Sequence, residues 1–150
     1  MSESPDPLSA RGSSRDTTER RELAALRHAL LRVHKSLLDM QRREYEHEYG
    51  RVTVGELFRL VVDHPQFAWL HNISEFVVRI DEALDGKEPI TAQDTGNAIS
   101  TARKMFTPTE SGDSFQKRYF DAIQRDPAIV MEHAELARLF SAESSDTEAP

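Results

Sequence analysis

The chain of 150 residues contains no cysteine. This absence excludes disulfides, thiolate zinc sites, iron–sulfur clusters and cysteine nucleophiles, and it permits a reducing compartment. No apolar run approaches the roughly 20 residues that a membrane span needs. The first residues, MSESPDPLSARGSS, also lack the apolar segment of a secretory signal. We therefore expect a cytoplasmic protein with no membrane partner.

The familiar catalytic motifs are missing too. The sequence contains no Walker loop, no Gly-x-Gly-x-x-Gly, no Gly-x-Ser-x-Gly and no His-Glu-x-x-His. Its formal net charge of −7 disfavours binding to nucleic-acid phosphates. These absences favour a protein with no cofactor and no nucleic-acid partner. They also favour a non-enzymatic role, although an enzymatic one stays open at this point.

No segment of useful length alternates apolar and polar residues with period two, so we expect no sheet. Apolar residues instead recur at three- and four-residue steps from about Thr17 to Tyr49. This spacing predicts an amphipathic helix roughly 45–50 Å long, which Gly50 ends. We call this predicted helix α1 and its apolar stripe the α1 seam, which consists of Leu23, Leu26, Leu30, Val33, Leu37 and Met40.

Shorter helices are predicted after this long one. Four polar residues stand at the spacing typical of a helix N-cap before an apolar face, namely Thr53, Asn72, Thr91 and Asp113. Pro65 and Pro127 interrupt the helical pattern and suit the first turn of a new helix. Such breaks allow two short helices in series to cover one long helix.

Composition divides the chain into three parts. Residues 1–16 are rich in Ser, Pro and Asp, and residues 142–150 are small and acidic, so both are predicted to be disordered tails. Residues 17–141 are predicted to form one domain. The expected fold is an all-α helical bundle in which a long N-terminal helix packs against shorter, proline-broken helices.

The segment HPQFAWLHN, residues 64–72, holds the only tryptophan of the chain. It connects two helices that both have clear apolar faces. We therefore expect Phe67 and Trp69 to close one end of the core, because large aromatic side chains are usually buried. The alternative is a binding pocket under Trp69.

The long helix also predicts a contact with another protein. The remaining helices look about half as long, so its N-terminal half is expected to overhang and to expose Leu26 and Leu30. A large exposed apolar patch needs a partner, and a second copy is the simplest one. The alternative is that the broken helices cover the whole seam and the protein is a monomer.

Four residues carry a metal-binding alternative. Glu44 and His47 have the Glu-x-x-His spacing of di-iron carboxylate bundles, but no second such motif is present. His34 and His133 stand on apolar stripes. An imidazole in that position is either a hydrogen-bonded member of the core or a metal or haem ligand. We expect both histidines to be structural.

Three stretches carry a resemblance to known proteins: RHALLRVHKSLLD, HPQFAWLHNISEFVVRIDEALD and FQKRYFDAIQRDPAIVMEHAEL. Together they resemble small all-helical bacterial proteins of unassigned function, over roughly residues 20–140. The resemblance implies a single helical domain and carries no catalytic residue. Two hypotheses follow, a non-enzymatic protein-interaction or regulatory module, and a ligand- or metal-binding bundle that uses the core-facing histidines.

Overall fold

The computed structural model describes the backbone of residues 7–147 and the side chains of residues 16–141. Within this range the chain forms seven helices and no strand, which confirms the all-α bundle. The helices are α1 (Pro7–Tyr49), α2 (Val54–Asp63), α3 (Pro65–Ala68), α4 (His71–Asp85), α5 (Ala92–Met105), α6 (Ser114–Arg125) and α7 (Pro127–Thr147). None of these helices is long and apolar enough to cross a membrane.

Helical backbone extends into both segments that were predicted to be tails. The sequence places the start of the long helix near Thr17, whereas α1 begins at Pro7, and α7 continues to Thr147. Once a helix has formed, each further residue adds a hydrogen bond, so extension is easier than a new start. The tail predictions for residues 1–6 and 148–150 lie outside the described residues.

Several helices begin or end at the capping residues that the sequence predicts. Gly50 follows α1 with φ +93°, a conformation that other residues rarely adopt. Thr91 and Asp94 form a reciprocal capping box at the start of α5, and Asp113 and Gln116 form another at the start of α6. Each box satisfies backbone N–H groups that a helix start would otherwise leave without a partner.

The predicted helix start at Asn72 is wrong. Trp69 and Leu70 already have right-handed helical dihedrals, so α4 begins at His71 directly after the turn that follows α3. Leu70 makes no side-chain capping hydrogen bond. A continuous turn supplies backbone carbonyls to the first N–H groups of α4, and an Asn cap is therefore not required.

The α1 seam is buried along its whole length. Its six residues are at most 6% exposed, and α4, α5 and α7 all pack against α1. The predicted overhang is therefore wrong. Leu26 and Leu30 have no exposed surface, because the shorter helices lie side by side along α1 and together cover the stripe.

Polar contacts fix α4 along α1. The Arg27 side chain pairs with Asp81 of α4, and Arg20 Nη1 donates to the Leu84 carbonyl oxygen at 2.7 Å. Further along α1, His34 Nε2 lies 3.3 Å from Ser74 Oγ. As residue numbers rise along α1 they fall along α4, so the two helices are antiparallel.

Trp69 is buried in the core, as the sequence predicts. Its side chain is 7% exposed, and its ring centroid lies 5.3 Å from that of Phe115. Phe115 in turn contacts Phe106 and Tyr119, which are fully buried. The Trp69 Nε1 atom is buried without a hydrogen-bond partner in the described part of the chain. The contribution of Trp69 is therefore made by its ring and not by its N–H group.

Two neighbouring leucines give a direct test of the seam. Leu30 is fully buried, whereas Leu31 is 37% exposed. We expect Leu30→Ala to lower the free energy of unfolding by about 2–5 kcal/mol, because it leaves a cavity in the core. Leu31→Ala should cost less than about 1 kcal/mol. Urea denaturation followed by circular dichroism measures both, and equal losses would contradict the arrangement.

Trp69 gives a second test. We expect Trp69→Ala to lower the free energy of unfolding by about 3–5 kcal/mol, and Trp69→Phe to lower it less, because phenylalanine keeps an aromatic ring and removes an unpaired donor. The native fluorescence should be blue-shifted relative to the unfolded chain. Emission at the wavelength of free tryptophan, or an unchanged stability of Trp69→Ala, would show that the ring is not in the core.

Candidate functional site

The residues predicted to bind a partner all lie in the interior. Leu26, Leu30 and Phe67 have no exposed surface, and Trp69 has little. Phe67 packs against Tyr45, with ring centroids 6.2 Å apart, and so joins α3 to the end of α1. None of the four is positioned to contact a partner.

His34 is held by a polar contact between α1 and α4. Its Nε2 atom lies 3.3 Å from Ser74 Oγ, and the imidazole is partly buried. Burial lowers the pKa of His34, and the nearby His71 lowers it further. A neutral imidazole suits this position, because it can accept or donate one hydrogen bond without a buried charge.

His133 forms the second partly buried pair. The Tyr119 hydroxyl lies 2.8 Å from His133 Nδ1, which joins α6 to α7. Burial raises the pKa of Tyr119 and lowers the pKa of His133. The tyrosine therefore stays protonated, and it forms one hydrogen bond with the neutral imidazole, whose tautomer decides which group donates. The two core-facing histidines thus bind different partners on different helices.

The other two metal candidates lie at the C-terminal end of α1. Glu44 Oε1 accepts a hydrogen bond from Arg125 Nη1 at 2.7 Å, and His47 is exposed in the last turn. In the part of the chain that the structure describes, no group of three or more His, Asp or Glu residues is arranged to hold a metal. Instead of ligating a metal, Glu44 forms an ion pair with Arg125 that joins α1 to α6.

An exposed apolar helix is the feature that the sequence prediction missed. The sequence indicates a clear apolar face for this helix, yet α2 contains no buried residue. Val54, Phe58 and Val62 are 79%, 70% and 53% exposed. We call these three residues the α2 ridge, since side chains four residues apart form one row along a helix.

The composition of α2 contained a signal for this exposure. Six of its ten residues are apolar, namely Val54, Leu57, Phe58, Leu60, Val61 and Val62. At about 100° per residue they span an arc of roughly 200°, which is wider than one packing contact requires. Leu57, Leu60 and Val61 are partly buried, so one edge of the arc packs on the protein and the other faces solvent.

The start of α2 is fixed to α1 by hydrogen bonds. Glu46 Oε2 accepts the Val52 N–H at 3.0 Å, and Arg42 Nη2 donates to the Val52 carbonyl oxygen at 3.3 Å. Just after the other end, Gln66 Nε2 donates to the Gln41 carbonyl oxygen of α1 at 3.1 Å. Both ends of α2 are thus anchored, and the ridge is presented on a positioned helix.

A groove between α4 and α5 is the second surface feature. It consists of two adjoining cavities of about 500 and 400 Å³, which share Phe76, Arg79 and Thr101 in their linings. We call it the α4–α5 groove. Leu23 and Ile80 form part of its apolar lining. Its volume falls in the range of small-molecule sites.

The pKa shifts of His34 and His133 lead to a prediction of how the free energy of unfolding depends on pH. Both have a pKa below the ordinary histidine value of about 6.5, so the native state prefers the neutral ring. Their contribution to the free energy of unfolding is complete above that value and decreases as the pH falls below it. We expect the double variant His34→Gln/His133→Gln to lose less stability than the wild type between pH 7 and pH 5.

Equilibrium urea denaturation at each pH measures this effect. The single variant His47→Gln is the control, because it removes an exposed histidine from the same helix as His34, and its slope with pH should match the wild type. An equally steep loss of stability in the double variant would show that the two partly buried histidines are not responsible.

Compared with known proteins, the chain matches no protein-family model, no curated protein and no solved structure. The function of this all-α bundle is therefore argued from its own geometry.

Proposed function

We propose that this protein is a non-enzymatic interaction module that self-associates through α2. The observation that carries the proposal is the α2 ridge, in which Phe58 is 70% exposed between two exposed valines. Monomeric proteins rarely leave a continuous row of large apolar side chains in water. Covering this row removes apolar surface from water, and this favours a contact.

A second copy fits the ridge because the ridge is symmetric about Phe58. If two α2 helices meet antiparallel across a two-fold axis, Phe58 meets Phe58 and Val54 meets Val62. Arg59 lies about 100° from Phe58 around the helix, and Glu56 and Asp63 lie further away. The charged side chains can therefore stay in solvent while the apolar ones are covered.

The expected dimer is weak and reversible. Each copy offers the three exposed side chains of the ridge. Three side chains provide less than the roughly 800 Å² per partner of a standard stable interface. Association that depends on concentration suits a regulatory module. We also propose that the protein is cytoplasmic and has no nucleic-acid partner. The net charge of −7 supports the second of these points, because it disfavours contact with phosphates.

Sedimentation velocity over a range of micromolar concentrations tests the proposal. We expect a reversible monomer–dimer equilibrium for the wild type. Phe58→Ser should give a monomer with unchanged thermal stability, because this side chain is mostly in solvent and supports little of the core.

The matched control is Met131→Ser on α7, which removes a side chain that is 72% exposed. This variant should dimerise like the wild type. A wild-type chain that stays monomeric at every concentration would reject self-association and leave a different protein as the occupant of the ridge. A dimer that survives Phe58→Ser would place the contact elsewhere.

A further inference from the structure

The α4–α5 groove has a fixed wall. Asp16 Oδ1 accepts the Ile90 N–H at 2.6 Å, and Asp16 Oδ2 pairs with Arg20 at 3.0 Å. Arg20 also donates to the Leu84 carbonyl oxygen at 2.7 Å. These bonds tie the loop between α4 and α5 to the N-terminal half of α1. The groove is therefore largely formed before any ligand arrives, as small-molecule sites usually are.

The floor of the groove is apolar and rigid. Leu23 comes from α1, Phe76 and Ile80 come from α4, and Ile90 comes from the anchored loop. All four side chains are at most 5% exposed, since they also belong to the core. A ligand that lies on this floor meets side chains that are already held in place, so binding does not have to order them.

A cation stands at the middle of the groove. Arg79 lines both cavities, and its guanidinium lies 5.6 Å from the centroid of the Phe76 ring. Within the described residues it makes neither an ion pair nor a hydrogen bond, although Glu75 and Glu82 are near it on the same helix. Its five N–H donors are therefore available to an anion.

Nearby groups restrict the charge of that anion. Lys87 lines one cavity and Lys104 the other, and Thr101 lies in the lining that both share. Two of the carboxylates, Asp94 and Asp113, already accept capping hydrogen bonds at helix starts. Three remain, namely Glu75, Glu82 and Glu88. Together the five carboxylates outnumber the three cations Arg79, Lys87 and Lys104, so the lining disfavours a ligand with more than one negative charge.

We propose that the α4–α5 groove binds a small monocarboxylate with an apolar body. The carboxylate accepts hydrogen bonds from Arg79 and from the Thr101 hydroxyl. The apolar body lies in the larger cavity over Phe76 and Ile80, towards Ile90. Arginine suits this task because its planar donors match the two oxygens of a carboxylate. The site is separate from the α2 ridge and does not depend on self-association.

Titration with sodium octanoate tests the proposal, with ¹⁵N–¹H correlation spectra of the full chain as the readout. We expect saturable shifts at the backbone amides of Ala83, Ile90 and Thr101. Arg79→Gln should weaken binding about ten-fold or more, because it removes a charge-assisted hydrogen bond. The uncharged 1-octanol should bind the wild type more weakly by a similar factor.

A second variant blocks the groove without touching the core. Ala83 is exposed on α4 and lines the larger cavity, so Ala83→Trp fills the cavity and should abolish binding in a folded protein. Arg59→Gln is the matched control for charge, since it makes the same change on α2. Phe58→Ser is the control for the ridge. Both controls should bind octanoate like the wild type.

Three results would overturn the proposal. One is the absence of saturable shifts at millimolar octanoate. Another is binding that both Arg79→Gln and Ala83→Trp leave unchanged. The third is a set of shifts confined to α2 and lost with Phe58→Ser, which would place the apolar ligand on the ridge. None of these results depends on whether the protein dimerises, so the two proposals fail separately.

Discussion

The rest of the structure depends on the need to bury one long apolar seam. The seam runs from Leu23 to Met40 of α1, and three helices, α4, α5 and α7, pack on α1. α4 and α7 cover the seam from two different sides of α1. Arg27 pairs with Asp81 of α4 and Arg32 with Glu132 of α7, and these two arginines stand about 140° apart around α1. α5 packs on the same helix, and the seam is closed.

Both candidate surfaces follow from the way the seam is shared. With α4, α5 and α7 placed along α1, no part of the seam is left for α2. α2 is held by its ends and packs on α3, so only one edge of its apolar arc is covered. In the same way α4 and α5 each pack on α1, and the space between them is the α4–α5 groove. Leu23 of the seam forms part of its floor.

The sequence predicts those features that depend on neighbouring residues. The capping boxes at Thr91 and Asp113 and the stop at Gly50 involve residues within one helical turn, and the structure has all three. Burial on the α1 seam follows from its spacing. The exposure of Phe58 was not predicted, because it depends on which of the shorter helices pack on α1. The groove around Arg79 was missed for the same reason, since its walls come from distant segments.

The core histidines show how a residue that suggests a ligand can be explained by packing. His34 joins α1 to α4 through Ser74, and His133 joins α6 to α7 through Tyr119. A shift of one residue along a helix turns a side chain by about 100° and would break either contact. A buried polar group without a partner costs about 1–3 kcal/mol, so each pair favours one register. With the histidines engaged in this way, we place the two proposed functions on the ridge and the groove.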